Sequence, residues 1–315
     1  MGVVLGVDGG NSKSELVAAT LAGEVLAYVR GAGSNSHALG ADGCVGVVAG
    51  LVERAGLAEP AEHGAFFLCG ADVPEDVAAL RAAVERRGWA RGATVDNDTF
   101  ALLRAGSAGG DAVAVICGAG INCVGRAADG RVVRYPALGW ETGDWGGAEP
   151  LGREALFLAA RAEDGRGEPT ALAELVRSRF GAATVQEVGA AVHYRRLPAT
   201  RLGELAPAIL ELAATDAVAR RLVERLADEI ALLARKALRD LGLAAADVVL
   251  GGGMLAVGGL LLGEVTARLP EGARPVPVAE PPVLGAALAA LDAAGAPPEA
   301  ETRLRDAFRA GLTPS

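Results

Sequence analysis

Short apolar runs alternate with glycine-rich polar breaks along the first third of the chain. Val3 to Val7 is an apolar run of strand type, Gly9-Gly10-Asn11-Ser12 interrupts it, and Leu16-Val17-Ala18-Ala19 resumes it. Glu24 to Arg30 reads as a third strand, which completes a meander. A polar loop, Gly31 to His37, leads to a helix expected over Asp42 to Ala55, where Val45, Val48, Leu51 and Val52 fall at helical spacing. Ala65 to Gly70 reads as a buried strand. A helix with Pro74 near its start follows, with Leu80 and Val84 on one face. Ala93 to Val95 is a short strand, and Asp96-Asn97-Asp98-Thr99 leads into a helix from about Phe100. Three meander strands followed by alternating helices and strands predict a mixed sheet covered by helices.

The pattern starts again after the Gly106 to Gly110 linker. Ala112 to Cys117 is a strand, Gly118-Ala119-Gly120 a turn, and Ile121 to Arg126 a strand; Asp129-Gly130 turns the chain into Arg131 to Tyr135. Each half therefore opens with strand, glycine turn, strand, turn, strand. Leu138 to Gly147 is a loop holding Trp140, Glu141, Asp144 and Trp145, and helices fill Glu149 to Asp240. Val248 to Leu250 is a strand running into Gly251-Gly252-Gly253. Pro275 and Pro277 confine a strand over Arg274 to Val278 to a sheet edge. Pro281-Pro282 opens an alanine-rich helix, and one more short helix precedes Thr313.

Length narrows the organisation: 315 residues suit two domains or one large one. With 51% hydrophobic but only 4% aromatic residues, packing is expected to be close and helix-rich, with few large anchors. A net charge of -9 without a basic stripe argues against nucleic acid and anionic membrane as partners. The four cysteines lack CxxC spacing and read as free thiols of the cytoplasm. Cys117 and Cys123 are expected to be small buried residues, not metal ligands. No stretch reaches the ~20 apolar residues of a membrane span, and the first strand begins without a leader-like segment, so a cytoplasmic protein is expected.

The opening turn is the first candidate for chemistry. Glycines let a backbone approach a phosphate, and successive N–H groups form an anion site. Asp8 stands where the strand stops. A carboxylate beside phosphates is unfavourable unless a cation lies between them, so Asp8 reads as a ligand of Mg2+, directly or through water. Lys13 and Lys236 are the only lysines, and Lys13 in this turn suits point-charge contact with a phosphate. An ordinary Gly-Asn hairpin explains the turn equally well when it is taken alone. Asp96, Asn97 or Asp98 can cap the helix starting near Phe100, and Asp96 in particular is expected to cap it or face solvent.

Three glycine turns, at Asp8, Gly118 and Gly251, with the Asp96/Asp98 pair between the first two, resemble the superfamily of acetate kinase, sugar kinases, heat-shock chaperone ATPases and actin. Within it the chain is similar to the N-acetylglucosamine kinase and BadF/BadG/BcrA/BcrD ATPase group, over nearly its whole length. The resemblance implies an α/β fold of two ribonuclease H-like (actin-like ATPase) domains with mixed sheets flanked by helices. It places the first domain at 1–107, with the sugar loop and catalytic aspartate. The second is placed at 108–315, with a helical insertion and with its last helices packing back on the first.

The same resemblance implies ATP and Mg2+ as cofactors and assigns site residues. Asp8 to Ser14, with Gly9, Gly10, Asn11, Ser12 and Lys13, takes the transferring phosphate and Mg2+. Gly118, Ala119 and Gly120 form the second phosphate motif, where Ala119 replaces the threonine usual in the family. Gly251, Gly252 and Gly253 receive the adenosine. Pro282 to Ala287 resembles the second connecting helix. Asp98 is the catalytic base for a sugar hydroxyl. Asn35, His37 and Asp144 match sugar-binding positions, with Asn35 equally readable as a turn residue and His37 more naturally a helix-entry residue than a catalyst. Trp145 stands where the family has a glutamate, which bears on the choice of hexosamine. Trp140 or Trp145 would either stack on a sugar or anchor packing.

The activity expected is phosphorylation of an amino sugar, N-acetylglucosamine to its 6-phosphate first, with glucosamine or another hexosamine as alternatives. The partners are then sugar and ATP, and a homodimer is implied. A different class is an ATPase that activates a dehydratase or reductase through a cluster held by cysteines.

Overall fold

The apolar runs pair into two mixed five-stranded sheets among the described residues of this computed structural model, which are 2–255 and 259–315. Along the chain, the strands of the first sheet are β1 (Val3–Gly9), β2 (Lys13–Thr20), β3 (Val25–Ala32), β4 (Ala61–Leu68) and β5 (Ala90–Asp96), in the order β3-β2-β1-β4-β5. The meander β1-β2-β3 is antiparallel because tight turns join its strands, whereas β4 and β5 join in parallel after helical crossovers. The crossovers are α1 (Ser36–Ala55) and α2 (Pro74–Glu85), and α3 (Thr99–Gly106) follows β5.

The second sheet consists of β6 (Ala112–Cys117), β7 (Ile121–Arg126), β8 (Val132–Arg134), β9 (Ala246–Gly251) and β10 (Ala273–Pro277), ordered β10-β9-β6-β7-β8. Helices α4 (Ala148–Glu163), α5 (Leu172–Phe180), α6 (Val185–His193), α7 (Ala206–Leu212) and α8 (Ala217–Leu241) lie between β8 and β9 in sequence, as expected of the helical stretch. Next come α9 (Leu260–Arg268), α10 (Pro282–Ala293) and α11 (Pro298–Arg309). β10 is an edge strand, as its two prolines require.

The chain divides into two compact units. The first comprises Met1–Ala114, Val124–Pro136 and Val278–Ser315, so that α10 and α11 belong with the first sheet. The second comprises Val115–Cys123 and Ala137–Pro277.

Period-two alternation decides which side of β1 meets which helices. Leu5 and Val7 join a buried cluster with Val45, Val48 and Leu51 of α1 and Leu80 and Val84 of α2. Gly6, between them, faces the other way, and a β-carbon there would lie 2.2 Å from the backbone nitrogen of Ala287 in α10. One layer further, a β-carbon on Gly285 would lie 1.8 Å from the Ala101 carbonyl oxygen of α3. Alanine and glycine thus let strand, helix and helix stack almost backbone to backbone. This is the close packing expected of a chain so poor in aromatics.

Two boundaries differ from expectation. α1 begins at Ser36 and not at Asp42, because the Asn35 side chain caps it by accepting from the His37 N–H at 2.8 Å. A left-handed residue, Gly40 (φ 68°, ψ 169°), kinks the helix and hides its first turn from periodicity. β5 begins at Ala90, three residues before Ala93, as pairing with β4 extends it. No helix among the described residues is long and apolar enough to cross a membrane.

Candidate active site

In the first unit, candidate residues converge on one end of the sheet. β1 ends at Asp8 and Gly9, and the hairpin closes with the Gly10 N–H donating to the Lys13 carbonyl at 2.9 Å. The segment before α1 braces this turn. The Ser34 N–H donates to Gly10 O at 3.0 Å, the Ser14 and Ser34 hydroxyls are 2.8 Å apart, and Asn35 Nδ2 donates to Asn11 Oδ1 at 3.0 Å. Asn35 therefore has two tasks, capping α1 and tying its start to the glycine turn. The Cys69 N–H, after β4, donates to Gly9 O at 2.7 Å.

Asp98 lies past the end of β5, where α3 begins. Capping falls to its neighbour: Asn97 Oδ1 accepts the Thr99 N–H at 2.9 Å. Asp96, expected as a cap or a solvated charge, is neither. It takes a two-pronged ion pair from Arg134, at 2.7 and 3.0 Å, and accepts the Asn97 N–H at 2.8 Å. Arg134 lies 38 positions away along the chain, so spacing could not reveal the pair.

Electrostatics separates the carboxylates. Asp8 is 7% exposed, and burial, then the nearby charges of Asp98 and Glu15, push its carboxyl well above the usual range against the opposing pull of Lys13. Burial, followed by repulsion from Asp72, raises Asp98 to about 7. Burial also works to raise Glu15, but hydrogen bonds from Lys13 (2.8 Å), Arg30 (2.9 and 2.7 Å) and Tyr28 (2.8 Å) outweigh it and hold its carboxyl below the ordinary value. Lys13, assigned to a phosphate, thus rests on Glu15.

A buried carboxylate beside other carboxylates is one that a divalent cation would hold ionised, and Asp8 fits a Mg2+ ligand on that ground. No group of three or more metal-type side chains occurs among the described residues.

His37 follows the Asn35 cap, with Nε2 3.6 Å from both Asp72 Oδ2 and Asp76 Oδ2. Asp72 and Glu15 were not singled out from sequence. Each is a single polar residue whose partners are distant or whose burial only the fold creates.

In the second unit the other two glycine turns come together. The turn between β6 and β7 closes with the Gly118 N–H donating to Gly120 O at 2.9 Å. Its carbonyls meet the start of α4: the Ala148 N–H donates to Gly118 O at 2.8 Å and the Glu149 N–H to Ala119 O at 3.0 Å. The turn after β9 lies against it, with the Met254 N–H donating to Cys117 O at 3.0 Å. A β-carbon on Gly252 (φ 99°) would lie 2.4 Å from that same oxygen, so Gly252 is required both by conformation and by space.

Asp144 follows a short 3-10 turn, Gly139–Thr142, and accepts the Thr142 hydroxyl. Trp145 is 8% exposed, and the Arg225 guanidinium of α8 lies 3.9 Å from its ring centroid, so Trp145 is a packing anchor. Trp140 is 83% exposed. No disulfide joins the four cysteines among the described residues.

Comparison with known proteins fits this arrangement. Over 177 residues the chain is 30% identical to an N-acetylmuramic acid/N-acetylglucosamine kinase of Clostridium acetobutylicum, a match covering 55% of this chain and 58% of that protein. The fold resembles that of a candidate N-acetylglucosamine kinase from Chromobacterium violaceum (TM-score 0.70, 20% identity, 91% of this chain and 98% of the other). It also resembles a ROK family glucokinase from Streptomyces griseus in complex with glucose and AMPPNP (TM-score 0.57, 19% identity, 92% and 100%). At these identities the structural likeness is one of fold. The family model for BadF/BadG/BcrA/BcrD ATPases matches residues 5–290. The actin-like architecture expected from the three glycine turns is thus found, and the chain belongs to the BadF/BadG/BcrA/BcrD ATPase family.

Proposed function

We propose that this protein is an ATP-dependent kinase that phosphorylates an amino sugar hydroxyl, N-acetylglucosamine to N-acetylglucosamine 6-phosphate. One observation carries the reading: Asp98, at the end of β5 near Asp8, has a carboxyl raised to about 7. A base so tuned accepts a hydroxyl proton at neutral pH. The Clostridium relative, named for amino sugars, supports the substrate class.

Each residue then has a task. Gly9, Gly10, Asn11, Ser12 and Lys13 bind the transferring phosphate, and Gly118, Ala119 and Gly120 the remaining phosphates. Gly251 to Gly253 receive the adenosine. Asp8 holds Mg2+, which supplies charge neutralisation of the phosphates when bound. Asn35, His37 and Asp144 orient sugar hydroxyls, and Asp98 accepts the proton. The working form is a homodimer in the cytoplasm.

A cysteine-held cluster, the alternative for this family, has less support. Cys44, Cys117 and Cys123 are fully buried, whereas a cluster held between two subunits needs accessible thiols. The test is ADP release with ATP and Mg2+ against N-acetylglucosamine, glucosamine, N-acetylmannosamine, N-acetylmuramic acid, glucose and no sugar. Turnover confined to an amino sugar supports the reading; ADP release indifferent to every sugar overturns it.

A further inference from the structure

Asp72 lies in the loop after β4 and is 8% exposed. An aspartate so buried is costly unless it is hydrogen-bonded. Oδ1 accepts from Asn97 Nδ2 at 2.8 Å, and Oδ2 lies 3.6 Å from His37 Nε2 at the start of α1. The other end of the Asn97 amide accepts the Thr99 N–H, and the Asn97 backbone N–H donates to Asp96, which Arg134 holds in turn. The residues on both sides of Asp98 are therefore fixed by hydrogen bonds that lead back to Asp72.

We infer that Asp72 is a positioning residue for Asp98: through Asn97 it locks the backbone from which the Asp98 carboxylate is aimed, and through His37 it joins the start of α1 to the start of α3. The inference rests on Asp98 being the base of the proposed kinase. Asp72 does not touch the reacting atoms. It holds the amide that caps α3, so its loss lets the carboxylate drift. A displacement on the order of 1 Å costs about 100-fold in rate.

The test uses the full-length chain with its best amino sugar. Asp72→Ala should lower kcat about 100-fold while KM for ATP stays within about twofold. Asp72→Asn keeps an oxygen that can accept from Asn97 and should recover kcat to within about tenfold of wild type. Asn97→Ala should match Asp72→Ala, and the double variant should be no worse than either, because both break one brace. A merely structural Asp72 would lower the melting temperature and leave kcat alone. Wild-type kcat in folded Asp72→Ala, or additive losses in the double variant, overturns the inference. Should Asp72→Ala not fold, Asn97→Ala carries the same test, and wild-type kcat there overturns it. A wild type that turns over no sugar fails the kinase reading instead, a result distinct from either.

Discussion

Asp8 and Glu15 stand opposite one another across the β1–β2 pair, yet their carboxyls are displaced in opposite directions. The cause lies in their partners. Glu15 gathers Lys13, Arg30 and Tyr28, whereas Asp8 is buried beside like charges. Strand β2 thus satisfies its acid internally, and β1 presents one that an incoming cation would stabilise.

Asp8→Asn should separate stability from activity. A carboxyl raised by folding favours the native state below its unfolded pKa and loses that contribution as pH rises through its folded value. At pH 8 the variant should melt about 2–4 °C higher, equivalent to about 1 kcal/mol, with the gain shrinking towards pH 4. Turnover should fall by about 100-fold or more. Thermal melts across pH, with the ADP assay beside them, check both.

Glu15→Gln should behave the other way round. A carboxyl lowered by folding contributes stability above its unfolded pKa and loses it as pH falls. The variant should lose about 1–2 kcal/mol at pH 7, since Lys13 and Arg30 are half exposed and regain water. Urea unfolding at pH 7 and pH 4 should show this difference narrowing at the lower pH.

For the wild type, kcat should rise with pH through about 7, as Asp98 becomes ionised and able to accept a proton. Asp98→Asn should lose about 100- to 10,000-fold in kcat with little change in KM for ATP, and its residual rate should not follow that rise. Steady-state rates from pH 5.5 to 8.5 test this, and a flat wild-type profile would contradict it.

Gly285→Ala should be among the most damaging single-methyl additions in the chain. The added carbon has no room against Ala101 of α3, and the obstacle is backbone, which cannot rotate away. A loss of about 3 kcal/mol or more is expected, read as a lower urea midpoint or insoluble expression. Gly263→Ala on α9, with open space at that position, should be close to neutral and serves as the control.

The sheets and glycine turns were legible because they are local: an apolar run, a break and a second run fix a hairpin whatever lies elsewhere. Edge placement of β10 followed from Pro275 and Pro277 in the same way. Features closed by distant residues were not legible. Asp96 found Arg134, Glu15 found Tyr28 and Arg30, and Asp72 found Asn97. The start of α1 was missed for a local reason, since Gly40 breaks the 3.6 period after one turn.

The late return of α10 to β1 has a consequence for biosynthesis. Gly6 emerges from the ribosome near the start of translation, but the Ala287 backbone that covers it emerges about 280 residues later. At ordinary elongation rates of about 5–20 residues per second, that face of the first sheet stays bare for tens of seconds. Nascent chains stalled before Pro282 should therefore recruit chaperones or aggregate, and those released after Ala293 should not.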